Sequence, residues 1–348
     1  GPMHHMRPAA TPRGSTTRRF PSHAVSPGLD EQHTMKIFTI AIVGAGYMAQ
    51  EHARAFASLP NVRIVGIHSR TRARAEALAA QYGATVFSSV SEMYESTRAD
   101  AVVVAVPELA MQSTCDQCFA YPWVCLLEKP AGLHLTQAEE ILASSQIRSA
   151  RCHVALNRRS YASTRQAIAE LGHYDGPRLI SVLDQQDMDA ARTYGQPELV
   201  VRNWMYANSI HLVDYFRLFG RGEVIDVQHM APWTPEKPGH VASAILFSSG
   251  DIGVYTAVWN GPGPWSVTVT NQQVRLEMRP LERLGIQRRG ERQLTNVTPD
   301  PVDTDFKPGL RWQAEQLTIA LASGSCALAT LAEATRSMAL VADIYGLR

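Results

Sequence analysis

Apolar positions along the chain fall into two regimes that meet near residue 155. In the first, short unbroken apolar runs alternate with helical segments. Ile37 to Val43 is such a run, followed by the turn Gly44-Ala45-Gly46 and an alanine-rich stretch to about Leu59. A strand that is apolar without alternation is one buried on both faces. Val62 to Ile67, Thr85 to Phe87, Asp100 to Pro107 and Val124 to Leu127 repeat the motif. Helices fill the gaps: from about Arg72 to Tyr82, where Gly83 stops it, around Glu92, up to Ala120, and from Thr136, where Thr136 and Glu139 fit a capping box. Strand and helix in alternation predict an α/β fold built on a doubly wound parallel sheet, with its ligand crevice at the carboxyl ends of the strands.

Beyond residue 155 the pattern changes. Helical segments from about Ser163 to Leu171 and Ser209 to Phe219 precede a run of strands at Ala242 to Phe247, Gly253 to Trp259, Ser266 to Thr270 and Gln273 to Arg279. In the last, Val274, Leu276 and Met278 alternate with Gln273, Arg275 and Glu277, as in an antiparallel strand with one solvated face. Two further helices, Arg311 to Ala322 and Ala332 to Tyr345, follow, the second opened by a Thr330, Glu333 capping box. Segregated strands and helices predict a second domain of α+β type. A chain of 348 residues and 38.3 kDa also exceeds what one core organises. The expected division is 1–34 as a disordered extension or tag, 35–155 as a dinucleotide-binding domain and 156–348 as a substrate and oligomerisation domain, whose last helices can pack back on the first.

Composition narrows the function classes. Basic residues number 33 against 32 acids, a net charge of +1, which gives no overall footprint for nucleic acid or an anionic membrane. No apolar run approaches the ~20 residues that cross a bilayer, so a cytoplasmic protein is expected. Five cysteines, an odd number, argue against a disulfide scaffold. Cys115 and Cys118 form an isolated C-x-x-C that reads as two thiols one helical turn apart, and no metal site is expected. Residues 1–34 carry Arg7, Arg13, Arg18 and Arg19 with no acid before Asp30 and no apolar core of a secretory signal. Gly1-Pro2 reads as a protease scar, and Met35 directly precedes the first strand.

Candidate chemistry sits at the strand ends. Gly44-Ala45-Gly46-Tyr47-Met48-Ala49 is G-x-G-x-x-A between a buried strand and a helix, where the glycines allow a tight turn and close approach of a pyrophosphate to the helix amides. The second strand runs into Ser69-Arg70. An acid there would bind the ribose of NAD, whereas serine and arginine suit a 2′-phosphate, so NADP is the expected cofactor, with NAD as the alternative. Pro107 and Glu108 follow the fourth strand, and Glu128-Lys129-Pro130 closes the fifth.

Together with Asn157-Arg158-Arg159 and Ile210-His211-Leu212-Val213-Asp214, these segments resemble the Gfo/Idh/MocA oxidoreductases (glucose–fructose oxidoreductase, inositol dehydrogenase and rhizopine catabolism) over about residues 36 to 346. The resemblance implies a Rossmann domain joined to a domain with an open-faced, mainly antiparallel sheet, and an NAD(P)-dependent oxidoreductase acting on a CH–OH carbon of a sugar, amino sugar or nucleotide-linked sugar. It implies Lys129 as the catalytic lysine beside nicotinamide and the reacting oxygen, with Glu128 and Pro130 at the cofactor and His211 as acid/base or substrate ligand. Arg158, Tyr161, Trp204 and Asn208 are then pocket residues, and a homodimer or homotetramer is implied. The chain departs from the family pattern at two places. Ala207 stands where sugar-oxidising members often carry an aspartate one turn before the histidine, leaving Asn208 or Asp214 to orient the ring, and Met111 replaces a common histidine. Reduction of a non-sugar carbonyl or imine, or regulatory binding of the dinucleotide without catalysis, are the competing readings.

Overall fold

Apolar strands buried on both faces build the first sheet. In a computed structural model that describes residues 35–348, it has six strands: β1 (Phe38–Val43), β2 (Val62–His68), β3 (Thr85–Val86), β4 (Ala101–Val104), β5 (Val124–Glu128) and β6 (Cys152–Ala155). The expectation for residues 1–34 lies outside the described residues. The sheet order is β3-β2-β1-β4-β5-β6 and each of its pairings is parallel. β1 and β4 are neighbours from opposite halves, so the switch point and its crevice fall beyond Val43 and Val104. The helices between them are α1 (Tyr47–Ala57), α2 (Arg72–Tyr82), α3 (Val90–Thr97), α4 (Met111–Cys118) and α5 (Leu135–Ile147). α5 begins before the expected cap: His134, not Thr136, is the N-cap, its side chain accepting from Gln137 N.

After α6 (Ala162–Leu171), β7 (Leu179–Gln186), α7 (Met188–Thr193), α8 (Glu198–Arg202) and α9 (Ile210–Phe219), the remaining strands are β8 (Val224–His229), β9 (His240–Phe247), β10 (Ile252–Trp259), β11 (Ser266–Thr270), β12 (Val274–Met278), β13 (Gly285–Arg288) and β14 (Thr295–Asn296). They form an eight-stranded sheet in the order β14-β13-β12-β11-β7-β10-β9-β8. Its pairings are antiparallel except for β7 with β10, which run parallel in register from Leu179↔Ile252 to Gln186↔Trp259. The fold is therefore α/β followed by α+β, as the pattern predicts.

The strands of the second sheet alternate because one face packs on helices. α9 lies on it through Phe216, whose ring meets Tyr255 edge-on, and the end of the last helix brings Tyr345 against Trp233, Tyr255 and Trp259. The chain closes with α10 (Val302–Asp305), α11 (Leu310–Ser323) and α12 (Leu331–Ile344). α12 does open at Thr330, whose hydroxyl accepts from Glu333 N. α11 returns to the first sheet: Leu310, Ala314 and Leu317 share a core with Ile40, Ile42, Ala53 and Phe56. Among the described residues no helix is long and apolar enough to cross a membrane.

Candidate active site

The glycine turn comes first because its geometry is fixed by sterics. Gly44 has φ +115°, and a Cβ there would stand 2.0 Å from the Ala105 carbonyl oxygen, so β1 reaches β4 only with glycine at this point. Gly46 is the N-cap of α1, and a Cβ on it would meet nothing within 4 Å. No side chain caps α1 and its first turn holds no acid, in contrast to α3, α5 and α12, which are capped by Ser89, His134 and Thr330. The leading amides of α1 thus have no side-chain acceptor among the described residues, which fits a pyrophosphate. Tyr47 is exposed and Met48 half-buried beside them.

At the end of β2, Ser69 Oγ accepts from Thr71 N (3.2 Å), which leaves its hydroxyl proton to donate, and Arg70 is exposed. Beyond β4, Pro107 is the exposed N-cap of a 3₁₀ turn over Glu108–Ala110, with Glu108 half-buried. Met111, in the place of the missing histidine, is buried in the core and packs on Cys115, away from the crevice. Burial pushes the Cys115 thiol well up and the Cys118 thiol up to about 12, the property of structural cysteines.

The segment after β5 turns its acid and its base in opposite directions. Glu128 is buried, with Oε1 at 2.5 Å from His52 Nε2 on α1 and Oε2 accepting from Lys129 N. Lys129 instead extends toward the segment that precedes α9, where Nζ donates to the Ala207 carbonyl at 2.6 Å. Its burial lowers the ammonium to about 8, partly opposed by the Glu128 charge and reinforced by Arg158. That carbonyl is presented by a π-helical turn over Met205–Ser209, which runs directly into α9. Trp204, at its start, packs with Leu133, Val200 and Ala207. Asn208 faces the other way, donating from Nδ2 to Gln186 Oε1 at 2.7 Å.

His211, in the first turn of α9, is 5% exposed. A single atom, Arg158 Nη1, stands 3.0 Å from its Nδ1 and 2.9 Å from its Nε2. Burial, Arg158, Lys129 and Lys307 together hold the imidazole well below its usual pKa, so it is neutral at pH 7. Asp214 does not orient it. Both Asp214 oxygens are engaged by Arg159, through Nε and Nη2 at 2.7 Å each, and Oδ1 also accepts from Ser337 Oγ at 2.6 Å. The ring's neighbours are cationic and aromatic instead. Arg158 lies over Tyr161 and Trp265, 5.8 and 5.5 Å from their centroids, and Trp265 is 6.0 Å from the His211 ring. The structure thus gathers Lys129, Arg158, Tyr161 and His211, with Trp204 beside Ala207, while Glu128 and Asn208 point into packed surroundings. Trp265 and Lys307 are additions. Lys307 stands over the Tyr47 ring, 5.3 Å from its centroid. Their distance from the motifs in sequence left no local signal.

Residues 38–156 match the family described as oxidoreductase family, NAD-binding Rossmann fold (Gfo/Idh/MocA). Over these residues the chain is similar to the NAD-binding domain of the Gfo/Idh/MocA oxidoreductases. Among characterised relatives, it is 27% identical over 139 residues to glucose-6-phosphate 3-dehydrogenase of Bacillus subtilis (strain 168), a stretch covering 38% of this chain and 39% of that enzyme. It is 24% identical over 234 residues to 4-carboxy-2-hydroxymuconate-6-semialdehyde dehydrogenase of Sphingobium sp. (strain NBRC 103272 / SYK-6), covering 65% and 73%. Among solved structures, UDP-N-acetylglucosamine 3-dehydrogenase from Acidithiobacillus ferrooxidans superposes with a TM-score of 0.72 at 18% identity, over 90% of this chain and 98% of that one. Levoglucosan dehydrogenase in complex with NADH and levoglucosan gives 0.74 at 15%, over 89% and 97%. These two likenesses establish a shared fold.

Proposed function

We propose that the protein is an NADP(H)-dependent oxidoreductase acting on a CH–OH carbon of a sugar, amino sugar or nucleotide-linked sugar. The observation that carries this reading is Lys129: an ammonium lowered to about 8, held on the Ala207 carbonyl beside His211, beyond the end of a strand that borders the glycine crevice. Two of the relatives, named for a sugar phosphate and for levoglucosan, support it, whereas a third is named for a carboxylated muconate semialdehyde, which is not a sugar. The uncapped α1 amides would hold the pyrophosphate, Ser69 and Arg70 the adenosine side, and Pro107, Glu108 and Lys129 would border the nicotinamide. A bound nicotinamide supplies the hydride exchange.

The chain's own residues handle the proton. One of the three Lys129 N–H groups is fixed on Ala207, which aims the others at a substrate oxygen. A pKa near 8 lets the amine accept a hydroxyl proton during oxidation or return it during reduction. The ammonium so formed stabilises negative charge on that oxygen. His211, neutral and hemmed by cations, accepts a hydrogen bond from a substrate hydroxyl without storing a proton. Leu179, Ile252 and Val254 stand exposed on the outer face of the second sheet and support a homodimer or homotetramer formed through that face. A sugar panel read by nicotinamide absorbance with NADP and NAD tests the proposal. Turnover of a sugar supports it, and a cofactor-bound protein that turns over only non-sugar carbonyls or nothing contradicts it.

A further inference from the structure

Two consecutive arginines in this site are treated differently by the fold. Arg159 is neutralised on two sides, by Asp214 at 2.7 Å and Glu333 at 3.4 Å. Arg158, next to it and half-buried, has no carboxylate within ion-pair distance among the described residues. Its Nη1 meets only Asn157 Oδ1 (3.1 Å) and the His211 ring, its Nε is buried with no acceptor, and Nη2 has no hydrogen bond. A guanidinium taken out of water without a counter-charge costs stability, and the electrostatic penalty reaches His211, whose protonated form Arg158 disfavours.

The surrounding acids do not offset this. Glu128 is turned onto His52, Asp214 onto Arg159, and Asp303 accepts from the Ala162 and Gly309 amides. Glu282 is 3.5 Å from the Tyr161 hydroxyl, and Glu108 acts on Lys129 at the rim. Against these stand Lys129 and Arg158, with Lys307 at the mouth. The Tyr161 and Trp265 rings fix the guanidinium from the protein side, so its fork is preorganised while its charge is unmet. Neutral hydroxyls need only dipolar partners, whereas a planar fork without a counter-ion matches an oxyanion.

We infer that the substrate carries an oxyanion, a carboxylate or a phosphate, and that Arg158 holds it, so that the site selects acidic sugars over neutral ones. This deepens the sugar-oxidoreductase reading and rests on it.

The test titrates the NADPH-loaded protein with D-glucose, D-glucuronate and D-glucose 6-phosphate, following nicotinamide fluorescence, for wild type, Arg158→Gln and Arg158→Lys. One or both acids should bind about 10- to 100-fold more tightly than glucose to the wild type, the range of charge-assisted bidentate contacts. The acid that binds distinguishes carboxylate from phosphate. Arg158→Gln should lose the preference with NADPH affinity unchanged and a melting temperature equal to or above that of wild type, and Arg158→Lys should keep part of it. Glucose binding as well as both acids, no binding by either acid, or a preference that survives Arg158→Gln overturns the inference. Failure of the underlying reading shows differently: NADPH then does not bind, or no member of a full sugar panel changes the nicotinamide absorbance.

Discussion

Lys129 and His211 differ in what their surroundings do to a proton. Both lose solvation, but Lys129 retains the Glu128 charge, while His211 meets only cations. Lysine is therefore the group that changes protonation near working pH. Lys129→Met is expected to lower kcat/KM ~10³-fold, about 4 kcal/mol, with cofactor still bound, and His211→Ala to lower it ~10- to 100-fold. In the oxidative direction kcat/KM should rise with pH through about 8, since the amine must be neutral to accept the proton, and in the reductive direction it should fall through the same range. Equal damage by the two substitutions in steady-state kinetics would make the histidine the principal base. The proposed cofactor preference is tested at single residues. Ser69→Asp with Arg70→Ala should move preference from NADP toward NAD by about 1–3 kcal/mol, read as a ratio of dissociation constants. Wild type preferring NADH would contradict the premise. The motif residues from Gly44 to Arg159 are visible in the sequence because they stand at strand ends, whereas His211, on α9, is legible only through the family resemblance. Arg158's lack of a partner was not visible, since it depends on Asp214 having gone to Arg159.

The elements divide the same way. β1, β2, β4 and β5 announce themselves because both faces are apolar, and β12 does so by alternation. β7 was missed although it lies in the middle of the second sheet. Its buried positions are Ile180, Val182, Asp184 and Gln186, so the polar pair breaks the apolar alternation that marks a strand. Those two residues are satisfied by each other and across the fold: Gln186 donates to Asp184 Oδ1 at 2.8 Å, Tyr255 donates to Asp184 Oδ2 at 2.5 Å, and Asn208 donates to Gln186. The Met205–Ser209 turn had no signal for the same reason, as a π turn is set by such contacts and not by propensity. The glycine turn allows a sharper test of structure against ligand binding. Gly44→Ala should unfold or strongly destabilise the protein, because its Cβ meets the Ala105 backbone, while Gly46→Ala should keep the melting temperature and weaken NADPH binding. Thermal melts and fluorescence titrations check both, and a Gly46→Ala protein with unchanged NADPH affinity would remove the pyrophosphate from this turn.

At the scale of the molecule, helices distant in sequence lock the site. Arg159 follows the first sheet, Asp214 sits on α9, and Glu333 and Ser337 sit on α12, so one polar cluster ties three parts of the chain together behind His211. Arg159→Ala leaves Asp214 buried without its counter-charge and should cost about 3–5 kcal/mol in chemical denaturation. A loss under about 1 kcal/mol would mean that water replaces the arginine. The parallel sheet and the mainly antiparallel one were legible from the shift in hydrophobic period near residue 155, whereas the return of α11 onto α1 could not be read from periodicity, because its partner surface lies some 250 residues away. Sugar oxidation through Lys129 is decided by one experiment: wild-type and Lys129→Met proteins, each shown to bind NADP, mixed with a panel of neutral and acidic sugars while nicotinamide absorbance is followed. Reduction of NADP by wild type on at least one sugar, lost in Lys129→Met with the cofactor still bound, is the predicted result. A cofactor-loaded wild type inert to every sugar, or a Lys129→Met protein as active as wild type, would contradict it.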